Sequence, residues 1–392
     1  MLRASFLCAA LIAAMLAAAS PAGAVLPFHF GLFPAGPLDG ITDVPGVRVA
    51  HVTKIEGSDV RTGATAVLPN ADPWDHKVAA AFFAFNGNGE MTGTHWIEES
   101  GYLEEPIVLT DTLDVGRAAD GVVSWVIAHH PAVGRGDDVP LPVVAECDDG
   151  FLDDIQARSV GPADVVRLLD SAVPGQFQRG SVGAGTGMNA FGFKAGIGSA
   201  SRVLPPALGG YHVGVLVNDN TGGERRLLAI LGVPVGDRLK NELRAFVPKG
   251  VSLRGRLGSG SIIIVVATDA PLDSRQLRAL ALRASMGMGR VGLTSHVGSG
   301  DLIVAFSTSQ VFERTADFTV QAPVHPILED DDALDGLYSA TVEATQASIY
   351  DALFESKTLT GRRGATVYGL PVDRVMAMLR AAGAISPAKP TP

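Results

Sequence analysis

The run Ile262-Ile-Ile-Val-Val-Ala267 is apolar at every position and rich in β-branched side chains. It is too short for an ordinary helix, and the stiff χ1 angles of Ile and Val suit an extended backbone. It therefore reads as a buried strand. Residues 47–52, 79–85, 107–110, 141–145 and 213–218 are similar in length and mostly apolar, and a further strand is expected over 302–306. Stretches with helical spacing lie among them. Helices are expected over 116–129, capped by Thr112 or Asp114, and over 162–171. Another begins near Asp273 or Ser274, where Gln276 completes a capping-box spacing and Leu277, Leu280, Ala281, Ala284 and Met288 repeat at three and four. After a loop over 309–332, a last long helix over about 333–355 is expected to turn Leu334, Leu337, Thr341, Thr345, Ile349 and Leu353 to one face. With 46 glycines and few aromatics, this pattern describes a compact α/β protein with many tight turns.

The first residues read as an address. Arg3 supplies a positive start, residues 6–19 form an apolar run short for a bilayer span, and Ala22-Gly23-Ala24 offers small residues for a signal peptidase. Export to the periplasm or beyond is expected, with residues 1–24 removed. The remaining 368 residues suffice for a large core, and no repeat or shift in composition divides them. Cys8 leaves with the leader, so Cys147 has no partner and no internal disulfide is expected. A net charge of -10 argues against nucleic acid, since Arg254 and Arg256 make only a weak basic pair. No membrane partner is expected either. The end of the chain, from Ser386, is expected to be disordered.

Residues 248–260 form a basic, Gly- and Ser-rich segment between two well-patterned halves. Linkers have this composition, and so do processing sites. Ser261 follows it and opens the apolar strand. A hydroxyl needs a base to become a nucleophile, and an N-terminal residue carries one in its own α-amine, whose reference pKa is about 7.7–8.0. Glycine at 260 lets the backbone bend until the serine hydroxyl reaches the preceding carbonyl. An N-to-O acyl shift followed by ester hydrolysis would then cut the chain. By itself, Gly-Ser-Gly-Ser reads more readily as an ordinary loop.

Its company changes that reading. Gly180-Ser-Val-Gly-Ala-Gly-Thr-Gly-Met188, continuing through Phe191-Gly-Phe-Lys-Ala-Gly-Ile-Gly198 to Arg202, resembles a signature of the L-aminopeptidase/D-amidase/D-esterase family, which includes the β-peptidyl aminopeptidases. Ile41-Thr-Asp-Val-Pro-Gly-Val-Arg-Val49, Asn86-Gly-Asn-Gly-Glu-Met-Thr-Gly93, Trp96-Ile-Glu-Glu-Ser-Gly101, Gly214-Val-Leu-Val217 and Ala267-Thr-Asp-Ala-Pro-Leu272 match as well. The resemblance runs from about residue 38 to about 371.

The resemblance implies an α+β fold, a four-layer αββα sandwich like that of Ntn hydrolases but with different strand connectivity. It implies one catalytic domain over 25–392, cut before Ser261 into an α chain (25–260) and a β chain (261–392) that stay together. It makes Ser261 the nucleophile of a self-processing serine aminopeptidase, and Ser299 and Asp301, in Gly298-Ser-Gly-Asp301, the pair that orients it. Some relatives carry Glu at the position of Asp301. Asn220 is implied for the oxyanion hole, with Asn218 as the close alternative, and Glu146 for the substrate's protonated amine. Where some relatives have a catalytic Tyr, this chain has Asp148. The implied substrate is a small peptide, amide or ester with a free amine. No metal or organic cofactor is implied, and the assembly would be a tetramer of αβ heterodimers. An acyltransferase of related architecture, or an exported binding protein on the same scaffold, are the alternatives.

Other groups read as structural. Asp148 and Asp149 either add negative charge near the amine site or are solvated turn residues, and the second is expected. His129 and His130, adjacent on a helix, point about 100° apart and do not readily share an ion. Glu98 and Glu99 read as capping or surface residues. Residues 183–187 lack the Lys-Ser/Thr end of a phosphate loop, and their glycines are expected to allow close backbone approach to the nucleophile.

Overall fold

A computed structural model describes residues 26–222, 224–250, 260–314, 326–329 and 331–386. The expected leader, the Arg254–Arg256 pair, most of the 248–260 segment and the chain after Ser386 lie outside the described residues.

The all-apolar run behaves as its composition requires. Ile262, Ile264 and Val266 join one core cluster, while Ile263, Val265 and Ala267 join another on the opposite side of the same strand. A strand buried on both faces needs a layer above and a layer below. Among the described residues the strands are β1 (Arg48–Glu56), β2 (Val60–Leu68), β3 (His76–Gly87), β4 (Tyr102–Leu103), β5 (Ile107–Asp111), β6 (Val143–Cys147), β7 (Asn189–Ala190), β8 (Phe193–Lys194), β9 (Ile197–Val203), β10 (His212–Asn220), β11 (Ser261–Thr268), β12 (Gly300–Glu313), β13 (Leu359–Thr360) and β14 (Thr366–Val367). The helices are α1 (Thr94–Ser100), α2 (Val115–His129), α3 (Pro162–Asp170), α4 (Val235–Arg238), α5 (Ser274–Val291), α6 (Asp332–Glu355) and α7 (Val372–Ala381).

A six-stranded sheet has the order β4-β3-β12-β11-β10-β9, and a four-stranded sheet the order β1-β2-β5-β6. Neighbours in both are antiparallel except for β11 with β12 and β5 with β6. The two sheets face each other across one core containing Val67, Leu109, Ala145, Leu216, Ile263 and Val304. Helices α5 and α6 cover the outside of the larger sheet, and α2 and α3 the outside of the smaller. The molecule is an α+β, four-layer αββα sandwich.

Several local expectations needed correction. Helix α6 has no single apolar face, because its residues from Ala340 to Phe354 are all buried. Its small side chains let it sink into the sheet: a Cβ at Gly198 on β9 would lie 1.9 Å from the Ser348 carbonyl. The hydroxyls of Thr341, Thr345 and Ser348 satisfy themselves on carbonyls four residues back. Strand β12 continues to Glu313, through residues read as loop. Neither Thr112 nor Asp114 caps α2 with its side chain; instead Asp111 accepts the Leu113 N–H of the tight turn before it. Strands β2 and β9 were not anticipated, since glycine, serine and threonine dilute their apolar pattern.

Candidate active site

Ser261 is the first residue of β11, and its backbone pairs with Asn220, the last residue of β10. Directly opposed residues of an antiparallel pair share a face, so both side chains sit at the open end of the gap between the sheets. Gly260 is held so tightly there that a Cβ would lie 2.0 Å from the Asn220 carbonyl oxygen. No other residue fits.

The start of β12 wraps around the serine. The Gly300 N–H donates to Ser261 Oγ at 3.2 Å, while Ser299 Oγ donates to Asp301 Oδ1 at 2.6 Å. Burial pushes the Asp301 carboxyl up, against the pull of the Ser295 and Ser299 hydroxyls. A bulge in β3 helps to aim this segment: Asp301 pairs with Asn86 but Leu302 with Ala84, leaving Phe85 extra on β3. Asn86 and Asn88 then tie the turn down through the carbonyls of His296, Ser299 and Gly298.

The two candidate asparagines differ in place and partners. Asn220 Oδ1 accepts the Asn189 backbone N–H at 3.0 Å, which turns its Nδ2 outward; one Nδ2 hydrogen goes to the Asp148 carbonyl at 2.8 Å. An amide nitrogen has two hydrogens, so one donor remains. Asn218 lies two residues deeper, opposite Ile263, fully buried and without a side-chain partner.

Glu146 approaches from the other sheet, near the end of β6. Its carboxylate accepts the Thr112 hydroxyl and the Glu90 N–H, the latter at 3.1 Å. Burial raises its pKa, and these two donors partly offset that. Residues 87–93 carry the chain from β3 along the edge of β6, where Thr92 N–H donates to the Val144 carbonyl. Gly89 sits between the two halves of the site. A Cβ there would lie 3.0 Å from Gly300 Cα and 3.2 Å from Glu146 Oε1. Glu146, Asn189, Gly260 and Ser261 line one cleft of about 460 Å³. It brings a hydroxyl, amide donors and a buried carboxylate together, which suits acyl transfer on a substrate bearing an ammonium group.

Sequence reasoning missed Asn189, which orients Asn220, and took Thr112 for a helix cap rather than the donor to Glu146. It also misplaced two features. Asp149 is no solvated turn residue, because the chain folds back over it and leaves it fully buried; Asp148 is exposed. The glycines of 183–187 do not approach Ser261. Cβ atoms on Gly183, Gly185 and Gly187 would instead strike Thr65, Ile197 N and Asp149. Beneath this loop the buried Lys194 ammonium donates to the carbonyls of Gly185, Met188 and Ala195, and burial lowers its pKa to about 7. His129 and His130 contact different carboxylates, Asp170 for the first and Asp72 and Asp75 for the second. Glu98 and Glu99 are exposed.

Residues 39–367 match the model of peptidase family S58. The chain is 39% identical over 360 residues to the β-peptidyl aminopeptidase BapA of Sphingosinicella microcystinivorans, an alignment covering 88% of each. Among solved structures, a Burkholderia sp. β-aminopeptidase superposes with a TM-score of 0.81 at 38% identity, over 91% of this chain and 97% of that one. The L-aminopeptidase D-Ala-esterase/amidase of Ochrobactrum anthropi, described as a variant of the Ntn-hydrolase fold, superposes with a TM-score of 0.82 at 37% identity, over 92% of this chain and 98% of that one.

Proposed function

The chain belongs to peptidase family S58 and is an aminopeptidase, and on that premise we propose that it cuts itself at Gly260–Ser261 and then works through an acyl-enzyme on Ser261. The observation that carries this reading is the shared cleft, with Ser261 and the confined Gly260 on one side and Glu146 on the other.

In the first step Ser261 Oγ attacks the Gly260 carbonyl carbon. The peptide C–N bond breaks, the nitrogen takes a proton and becomes the Ser261 α-amine, and water hydrolyses the ester. The freed amine then serves as base. Substrate enters with its ammonium group against Glu146. Ser261 Oγ attacks the scissile carbonyl, and its proton passes through the amine to the leaving group. Developing charge on the carbonyl oxygen meets the Asn220 amide and a backbone N–H, of which Gly300 N–H is already within reach of Oγ. Ser299 and Asp301 orient the nucleophile, and water releases the product. Asn220 suits the oxyanion better than Asn218 because it stands opposite Ser261.

Residues 261–392 supply β11 and β12, which sit between β3 and β10 of the preceding segment. Separating the two chains would therefore require taking apart the six-stranded sheet, which supports a cut protein whose chains stay together. The same reading holds the αβ unit to be one domain, exported by residues 1–24 and assembled as four copies. A denaturing gel of active protein tests it. Bands near about 24 and 14 kDa are expected from 236 and 132 residues, and the smaller should begin Ser-Ile-Ile-Ile. A single uncut band with full activity would overturn the mechanism. Aminoacyl p-nitroanilides of L-α, D-α and β-amino residues would then define the substrate class.

A further inference from the structure

Behind the amine side of the cleft lies a group of carboxylates that the reaction does not use. Asp111 ends β5, and Asp149 and Asp153 follow β6. Each offers an oxygen within 4.8 Å of the others, and all three are buried. Two are set in place by backbone amides: Asp111 accepts the Leu113 N–H, and Asp153 the Arg61 N–H. Asp149 is different. It is fully buried, it offers an oxygen within 4.8 Å of those of the other two, and neither of its oxygens has a partner at hydrogen-bond geometry, although the Thr62 hydroxyl bears on its charge. A bare buried carboxylate is among the most costly groups a fold can hold.

The neighbouring cations are engaged elsewhere. Among the described residues none forms an ion pair with Asp111, Asp149 or Asp153: Arg117 and Arg158 reach Asp114, and Arg362 reaches Asp154. Lys194 feels the Asp149 charge but donates to three carbonyls. Burial pushes all three acids up, Asp111 to about 8 and Asp153 to about 6, and the charges of Asp111 and Asp153 add to the effect on Asp149.

We propose that Asp111, Asp149 and Asp153 bind one calcium ion, with the Thr62 hydroxyl beside them. The donors are all hard oxygens. Three buried protein carboxylates converging on one point suit calcium, which takes most of its ligands from protein oxygens, better than magnesium, which keeps several waters. The ion would clamp the ends of β5 and β6, where Thr112 holds Glu146 and the Asp148 carbonyl holds Asn220.

The test uses the intact protein stripped with a chelator, then equilibrium dialysis against radioactive calcium with parallel thermal melts. One saturable site per chain is expected, filled by about 1 mM calcium, with the melting temperature raised by about 5 °C and magnesium at least tenfold weaker. Asp149→Asn should lose both the binding and the shift; if that variant does not fold, Asp111→Asn should weaken binding at least tenfold. Absence of saturable binding up to about 10 mM, equal binding of magnesium, or full binding by these variants would each overturn the proposal.

Discussion

In the six-stranded sheet the parallel pair β11–β12 meets the cleft with its N-terminal ends, whereas in the four-stranded sheet the parallel pair β5–β6 meets it with its C-terminal ends. The beginnings carry Ser261 and the Gly300 N–H that donates to it. The ends carry Asp111, Thr112 and Glu146, and the turn after β6 adds Asp148 and Asp149. One sheet thus presents a hydroxyl and amide donors, and the other gathers carboxylates. On the proposed mechanism, a developing oxyanion is stabilised by the first set and an incoming ammonium by the second, so that chemistry and recognition would be divided between layers that could be altered separately.

The largest effect should come from the nucleophile. Ser261→Ala is expected to abolish self-cleavage and to lower turnover at least about 10⁴-fold, read by gel and by chromogenic substrate. Residual splitting would move the chemistry off β11. Next, Asn220→Ala should lower kcat about 10²–10³-fold, the usual loss for an oxyanion donor, while Asn218→Ala changes it far less. If the two exchange places in that kinetic comparison, the deeper residue is the donor.

Glu146→Gln tests the other sheet. It should lower kcat/KM about 10–100-fold for substrates with a free amine, as expected for one charge-assisted contact, and leave self-cleavage intact. Because burial raises the Glu146 pKa, activity should decline with falling pH above the ordinary carboxylate range, and Glu146→Gln should flatten that limb. Loss of processing as complete as in Ser261→Ala would end the division of labour.

The smallest effect concerns stability. Burial raises Asp111, Asp219 and Asp153 to about 8, 7 and 6. An unfolded carboxyl titrates near about 4, so between about pH 4 and 8 these acids hold more protons in the folded state, and they outnumber the buried His51 and Lys194, whose lowered values of about 4 and 7 act the other way. Stability should therefore fall as pH rises through this window. In chelator, melting at pH 8 should lie at least about 2 °C below that at pH 5.5. Saturating calcium should remove the share owed to Asp111 and Asp153.

The long apolar strands and the capped helix α5 were legible from the sequence. Asp273 and Gln276 make the reciprocal hydrogen bonds their spacing implies. Strand β9 was not legible, because Ile197-Gly-Ser-Ala-Ser-Arg-Val203 owes its burial to α6 pressing on Gly198 rather than to its own hydrophobicity. At the site, Ser261 was picked out by the resemblance of the motifs around it, since its own Gly-Ser setting reads as a loop. Asn189 and Thr112 did not, since their roles depend on Asn220 and Glu146, which are distant in the chain.

Periodicity and apolar runs thus determined that this chain stacks strands and helices in layers, because burial follows residue type at short range. The resemblance of its motifs singled out Ser261, Asn220, Ser299, Asp301 and Glu146. Only the tertiary structure decided that Asn220 rather than Asn218 stands across from Ser261. It also showed that Asp149 is buried among other carboxylates, and that the glycines of 183–187 serve packing away from the serine. Strand register and the crossing of distant loops set these relations, and no tight turn joins β10 to β11 to fix their register locally.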